Sequence, residues 1–132
     1  MRIYALDPYS ESVRSAILSR NVQRSVITWQ LLNLILGNAD GHLKNISFLY
    51  HGARISLAPF YDMVCTRNYP GVDDKLALHI GGGYDPGHIG REQFRSFARE
   101  IHVGEPYVFQ ELERITRIVR TQIRRTRTLL SS

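Results

Sequence analysis

The chain has almost no cysteine. Cys65 is the only one in 132 residues, so no disulfide can form within it. That excludes the small disulfide-stapled scaffolds and fits a reducing compartment. The opening stretch MRIYALDPYSES lacks the long apolar core of a signal peptide. The most apolar run, VITWQLLNLILG at residues 26–37, is too short to span a bilayer and carries Gln30 and Asn33 inside it. The expectation is a soluble, cytoplasmic protein with no membrane partner. His79, His88 and His102 are scattered, with neither an H-x-x-x-H spacing nor a cysteine partner, which argues against zinc. Cys65 has no neighbouring base to mark it as a nucleophile and reads as a packed or loop thiol. There is no internal repeat and no interdomain linker.

What is present suits one domain. The length allows a single core, and a hydrophobic fraction of 43% is ordinary for a globular chain. The net charge of +5 permits anionic partners without choosing among them.

Residues 1–9 read as extended, with a break at Pro8, and residues 10–20 as a short helix capped by Ser10. Asn21 is placed to cap a second helix over 22–36. Its apolar positions nearly encircle it, which predicts burial on most sides, and Gly37 is its natural stop. ISFLY and ISLAPF, separated by HGAR, predict a β-hairpin. A loop covers 61–74, and KLALHI reads as a short strand or extended segment. GGGYDPGHIG reads as a mobile, turn-rich connection. Helices are expected over 91–101 and 105–129. The seam of the last is Val108, Leu112, Ile115, Val119, Gln122 and Thr126. The fold class is therefore α+β, mainly helical, with one small hairpin.

The chemistry concentrates immediately after the buried helix. GNADGHLKN packs Asn38, Asp40, His42, Lys44 and Asn45 into eight positions. Asp40 and Asn45 form D-x-x-x-x-N. After the expected hairpin comes Asp62, in PFYDMV. Protein kinases carry the same parts in the same order: a catalytic-loop Asp, an Asn, then a metal-binding Asp. Phosphoryl transfer needs a carboxylate to orient the attacking hydroxyl, which Asp40 can supply. It also needs Mg²⁺ held by hard oxygen atoms, which Asn45 and Asp62 can supply. His42 and Lys44 stand where they can approach or neutralise phosphate charge. D-x-x-x-x-N alone is a weak signal; the hairpin and Asp62 strengthen it.

Other features have blander readings. GGGYDPG lacks the G-K-[ST] ending of a phosphate loop. Trp29 reads as core and Tyr61 as packing beneath the metal site. Arg114, Arg117, Arg120, Arg124, Arg125 and Arg127 crowd the last helix. They suit either a solvated face or phosphate contacts, the former being commoner.

LILGNADGHLKNISFLY followed by ISLAPFYDMV resembles the C-terminal kinase core of the HipA family, serine/threonine protein kinases that act as toxins in bacterial type II toxin–antitoxin modules. The family pattern is close to G-N-x-D-x-H-x-K-N-x-S and then L-x-P-x-Y-D, and every fixed element is present. The resemblance is motif-strong over residues 26–82 and architectural beyond. It implies the C-terminal lobe of a protein-kinase-like fold, with ATP and Mg²⁺ as cofactors. It implies Asp40 as catalytic base, Asn45 and Asp62 as metal ligands, and supporting roles at the phosphates for His42 and Lys44. The implied partners are a HipB-like antitoxin, a protein substrate, and DNA reached through the antitoxin.

Family kinases are much longer, and RIYALDPYSESVRSAILSR has no glycine loop and no lysine. Residues 1–132 are thus expected to be a HipA-like kinase C-terminal domain without its N-terminal lobe. Transfer of the ATP γ-phosphate to a protein Ser or Thr would then need a complementing lobe. The alternative is a non-catalytic remnant that binds an antitoxin, a partner kinase half or DNA.

Overall fold

The structure is a computed structural model that describes residues 19–52 and 54–131. The expected extended segment at 1–9, and the helix at 10–20 up to residue 18, lie outside the described residues.

Helix α1 is Arg20–Leu36. It starts two residues earlier than expected, because Ser19 and not Asn21 is the cap. The Ser19 hydroxyl accepts from the Val22 amide at 3.3 Å, leaving Asn21 inside the first turn. No α1 residue beyond Arg24 is exposed, as its near-continuous apolar surface requires. Gly37 ends it at φ +69°, and its amide donates to the Asn33 and Leu34 carbonyls.

The hairpin follows. Strand β1, Phe48–His51, pairs antiparallel with β2, Arg54–Leu57, with Phe48 opposite Leu57 and His51 opposite Arg54. Gly52 turns at φ +62°. Trp29, 1% exposed, lies 6.1 Å from Phe60 and ties α1 to the residues that follow β2.

Of the two readings of segment 75–80, strand or extended segment, the strand is not formed, because no strand lies beside it among the described residues. The Leu76 amide bonds Tyr84, Ile80 and Gly83 exchange amide bonds across a tight turn, and the Gln30 side chain donates to the Leu78 carbonyl. The glycine run is also not a loose tether. Gly81, at φ +54°, sits so close to the helix that starts at Arg91 that a Cβ there would collide with the Gln93 carbonyl oxygen.

Helix α2 is Arg91–Glu100 and buries Phe94, Phe97 and Ala98. Helix α3 is Glu105–Leu130. Ile27 and Leu31 of α1, Leu76, Ile80, the buried face of α2, and Val108 and Ile115 of α3 form one core. The expected seam of α3 holds through Val119; Gln122 and Thr126 are exposed, because α1 has already ended. Among the described residues no helix is long and apolar enough to cross a membrane.

Glu111 joins α1 to α3 and is 8% exposed. It accepts from the Thr28 hydroxyl at 2.7 Å and from Arg114 Nε at 2.8 Å. The Arg114 bonds hold its carboxyl below the ordinary 4.5; burial opposes this and the Thr28 bond adds to it. The folded chain therefore binds fewer protons than the unfolded one in mild acid. Glu111's contribution is complete above the ordinary carboxylate range and is lost as pH falls through the lowered folded value. Glu111→Ala should cost about 1–3 kcal/mol in urea unfolding at neutral pH, with a smaller difference from the parent protein near about pH 3.

Candidate active site

Gly37 to Asn45 leaves the end of α1 as a loop braced from two sides. On the inner side, Asn38 is buried. Its side-chain nitrogen donates to Asn33 Oδ1 at 2.9 Å, its backbone amide donates to the Asn33 carbonyl at 2.9 Å, and its Oδ1 accepts from the Asp40 amide at 3.1 Å. Gly41 lies directly over Asn33, where a Cβ would fall 2.6 Å from Asn33 Nδ2. The polar residue inside the apolar helix thus supports the loop that carries Asp40.

On the outer side, Thr66 comes from the short helical turn Thr66–Asn68, beyond Asp62. Its hydroxyl donates to the Gly37 carbonyl at 3.1 Å and accepts from the Ala39 amide at 2.8 Å. Its own amide bonds the same Gly37 carbonyl at 3.2 Å. One buried threonine therefore joins the two loops.

Within this frame Asp40 is exposed, and His42 Nε2 lies 3.1 Å from its Oδ1. The His42 amide donates to Asn45 Oδ1 at 3.0 Å, and the Asn45 amide donates to the His42 carbonyl at 2.9 Å, closing the helical turn Leu43–Asn45. The hairpin returns the chain so that Asn45 Nδ2 meets Asp62 Oδ2 at 3.4 Å. Asp62 has φ +58°, a left-handed conformation that costs a residue with a Cβ about 1–3 kcal/mol.

Asn45 and Asp62 are thus adjacent. Asn45 Oδ1 accepts one bond and has a second lone pair, and the exposed Asp62 carboxylate has its other oxygen. An amide oxygen and a carboxylate are hard donors that suit Mg²⁺, which is commonly held by one or two protein groups together with water and phosphate oxygens. Among the described residues, no three His, Cys, Asp or Glu side chains gather into a metal cluster of their own. Asn45 and Asp62 would supply two ligands to a metal that takes the rest from phosphate oxygens and water.

One expectation needs correction. Tyr61 is not packed beneath Asp62. It is 46% exposed, and its hydroxyl reaches across to Ser47 Oγ at 3.0 Å and the Lys44 carbonyl at 3.3 Å. Of the two readings of Cys65, packed or loop thiol, the structure shows an exposed loop thiol. His42 touches Asp40 more directly than the sequence suggests, and Lys44 is exposed beside the same loop. Sequence reasoning missed Asn33, Asn38 and Thr66 as loop supports. A polar residue within the apolar run was a usable signal for Asn33; Thr66 carried none.

The comparisons fit this geometry. The family model described as HipA-like C-terminal domain matches residues 9–128, and the chain belongs to that family. The serine/threonine-protein kinase toxin HipA of Shewanella oneidensis is 32% identical over 95 residues, which is 72% of this chain and 22% of that protein. The Sinorhizobium fredii protein Y4mE is 38% identical over 89 residues, 67% of this chain and 20% of that protein. The solved complex of Shewanella oneidensis HipA with HipB and its operator DNA contains a chain that superposes with a TM-score of 0.69 at 31% identity. That match covers 74% of this chain and 23% of the other. The chain therefore has the α+β, mainly helical fold of a protein-kinase-like C-terminal lobe, related to a serine/threonine kinase toxin. It spans about a fifth of the length of the curated relatives it matches.

Thr66→Val keeps the shape and removes the hydroxyl. It should cost about 1–3 kcal/mol by leaving the Ala39 amide and Gly37 carbonyl short of a partner. Amide hydrogen exchange at Ala39 should quicken while exchange in the α2 core stays unchanged.

Proposed function

We propose that this chain is the catalytic-loop portion of a HipA-like serine/threonine protein kinase and that, with a complementing N-terminal lobe, it transfers the ATP γ-phosphate to a protein Ser or Thr hydroxyl. What supports the reading is the meeting of Asn45 and Asp62, 17 residues apart, with Asp62 in a left-handed conformation. Strain at an exposed acid is readily understood where the acid faces a ligand.

Asp40 orients the substrate hydroxyl and accepts its proton. Its amide is fixed through Asn38 and its carboxylate is steered by His42. Asn45 Oδ1 and the Asp62 carboxylate hold Mg²⁺. Lys44, exposed beside the loop, balances phosphate charge; His42 does so only by turning away from Asp40. Bound Mg²⁺–ATP supplies the phosphoryl group and neutralises charge on its oxygens. The remaining catalytic effect is positioning and electrostatic stabilisation. The groups expected of an N-terminal lobe are needed for both, so the chain alone should be slow or inactive.

A second reading has its own support. The solved relative lies in a complex with HipB and operator DNA, and α3 carries six arginines between residues 114 and 127. In that reading the chain is a non-catalytic lobe that binds an antitoxin, a kinase half or DNA. A DNA mobility-shift assay at two salt concentrations separates it: direct phosphate contacts give binding that falls steeply as salt rises.

Calorimetric titration of Mg²⁺–ATP into the purified chain is the first test. Binding is expected and should vanish in Asp62→Asn; no binding to either protein would move the second reading ahead. In the presence of an N-terminal lobe, Asp40→Ala and Asp62→Ala should each abolish phosphotransfer to protein. Unchanged activity in both would overturn the assignment.

A further inference from the structure

Helices α1 and α3 lie side by side and run in the same direction. Arg24 stacks over Tyr107 at 5.2 Å, Thr28 bonds Glu111, and Leu36 shares a groove with Ile118 and Val119. α1 then stops, while α3 continues to Leu130. Every residue from 120 to 130 is exposed.

The groove at this step has a volume of about 520 Å³. Leu36, Ile118, Val119, Ile123 and Leu130 line it. Ile123 is 61% exposed and Leu130 83%. At about 3.6 residues per turn, Val119, Ile123, Thr126 and Leu130 share one face of α3, with Arg127 and then Arg120 along one border and Gln122 and Ile118 along the other. No acidic residue follows Glu113. The surface is an apolar trough with one cationic edge.

We propose that this groove receives an acidic amphipathic helix from a partner polypeptide. The apolar stripe of such a helix would fill the trough, and carboxylates on the flank beside Arg127 and Arg120 would meet the arginines; that is how helices are commonly held in grooves. A second copy of this chain is disfavoured, because its own groove offers no carboxylate to these arginines. Nucleic acid would satisfy the arginines and leave the trough uncovered. An anionic membrane suits a convex apolar strip better than a groove walled by Leu36. The chain's own residues 1–18 have no excess of acid to match the cationic edge. The groove also reaches Leu36, the residue before Gly37, so its occupant would lie at the root of the Asp40 loop. The proposal stands apart from phosphotransfer, and its test does not use activity.

The probe is a fluorescent synthetic helix of about 14 residues, roughly 20 Å long at 1.5 Å per residue. It carries leucines on one face and glutamates elsewhere, and a second probe has lysines in place of the glutamates. Anisotropy with the full chain should show the acidic probe binding at least about tenfold more tightly than the basic one. Ile123→Gln, at an exposed position, should weaken that binding with the circular dichroism unchanged. Arg120→Glu combined with Arg127→Glu should reverse the preference.

Equal binding of both probes would overturn the proposal, since it would report only a sticky apolar surface. Binding of neither would also overturn it. So would self-association in sedimentation that Ile123→Gln abolishes, because a second copy would then be the occupant. Preferred binding of duplex DNA or of anionic phosphatidylserine vesicles, lost in Ile123→Gln, would assign the groove to those classes instead.

Discussion

The candidate site depends on one carbonyl. The Gly37 oxygen, at the end of α1, has no partner within its own helix, and Thr66 supplies both a hydroxyl and an amide to it. That pair of bonds joins the loop holding Asp40 to the loop holding Asp62. The hairpin between them sets the chain length of the excursion, and the Asn45–Asp62 contact follows from where the excursion ends. A helix end that must satisfy its orphan groups has been used to bring two distant acidic loops together.

Beneath that carbonyl the support is polar rather than apolar. Asn33 and Asn38 bond to each other inside an otherwise hydrophobic layer, and Asn33 Nδ2 is buried without a hydrogen-bond partner among the described residues. Buried amides are costly unless satisfied, so they serve less to stabilise than to specify. They set where Asp40 leaves the helix, and Gly41 completes the fit because it has no side chain to displace Asn33.

Much of this was legible in the sequence, for identifiable reasons. The buried helix, its glycine stop and the hairpin follow local rules of periodicity and turn chemistry; the helix and its stop lie within two residues of expectation, and the hairpin strands within three. The candidate site residues stood out by order and spacing, because a polar loop after a helix is common but D-x-x-x-x-N followed by an acid beyond a hairpin is not. What was not legible depends on partners far along the chain. KLALHI resembles a strand, but a strand needs a neighbour and there is none among the described residues. Gly81 resembles a free hinge, but α2 lies against it. Glu111 resembles a surface acid on a charged helix; only the approach of Thr28 makes it a buried tie. Thr66 is an ordinary threonine until Gly37 is placed beside it.

The parallel course of α1 and α3 bears on how the molecule is made. Thr28 and Glu111 are 83 residues apart, and the core face of α1 is completed by Val108 and Ile115 of α3. During synthesis α1 emerges with apolar residues on nearly all sides and waits for α3 before that face is covered. Contacts of such long sequence separation form late and slowly. Until then the nascent chain displays its most hydrophobic element, the state in which chaperones and aggregation compete for it. A ribosome that stops before Glu111 leaves α1 without its α3 cover, and the Asp40 loop then leaves the end of a helix that is still exposed.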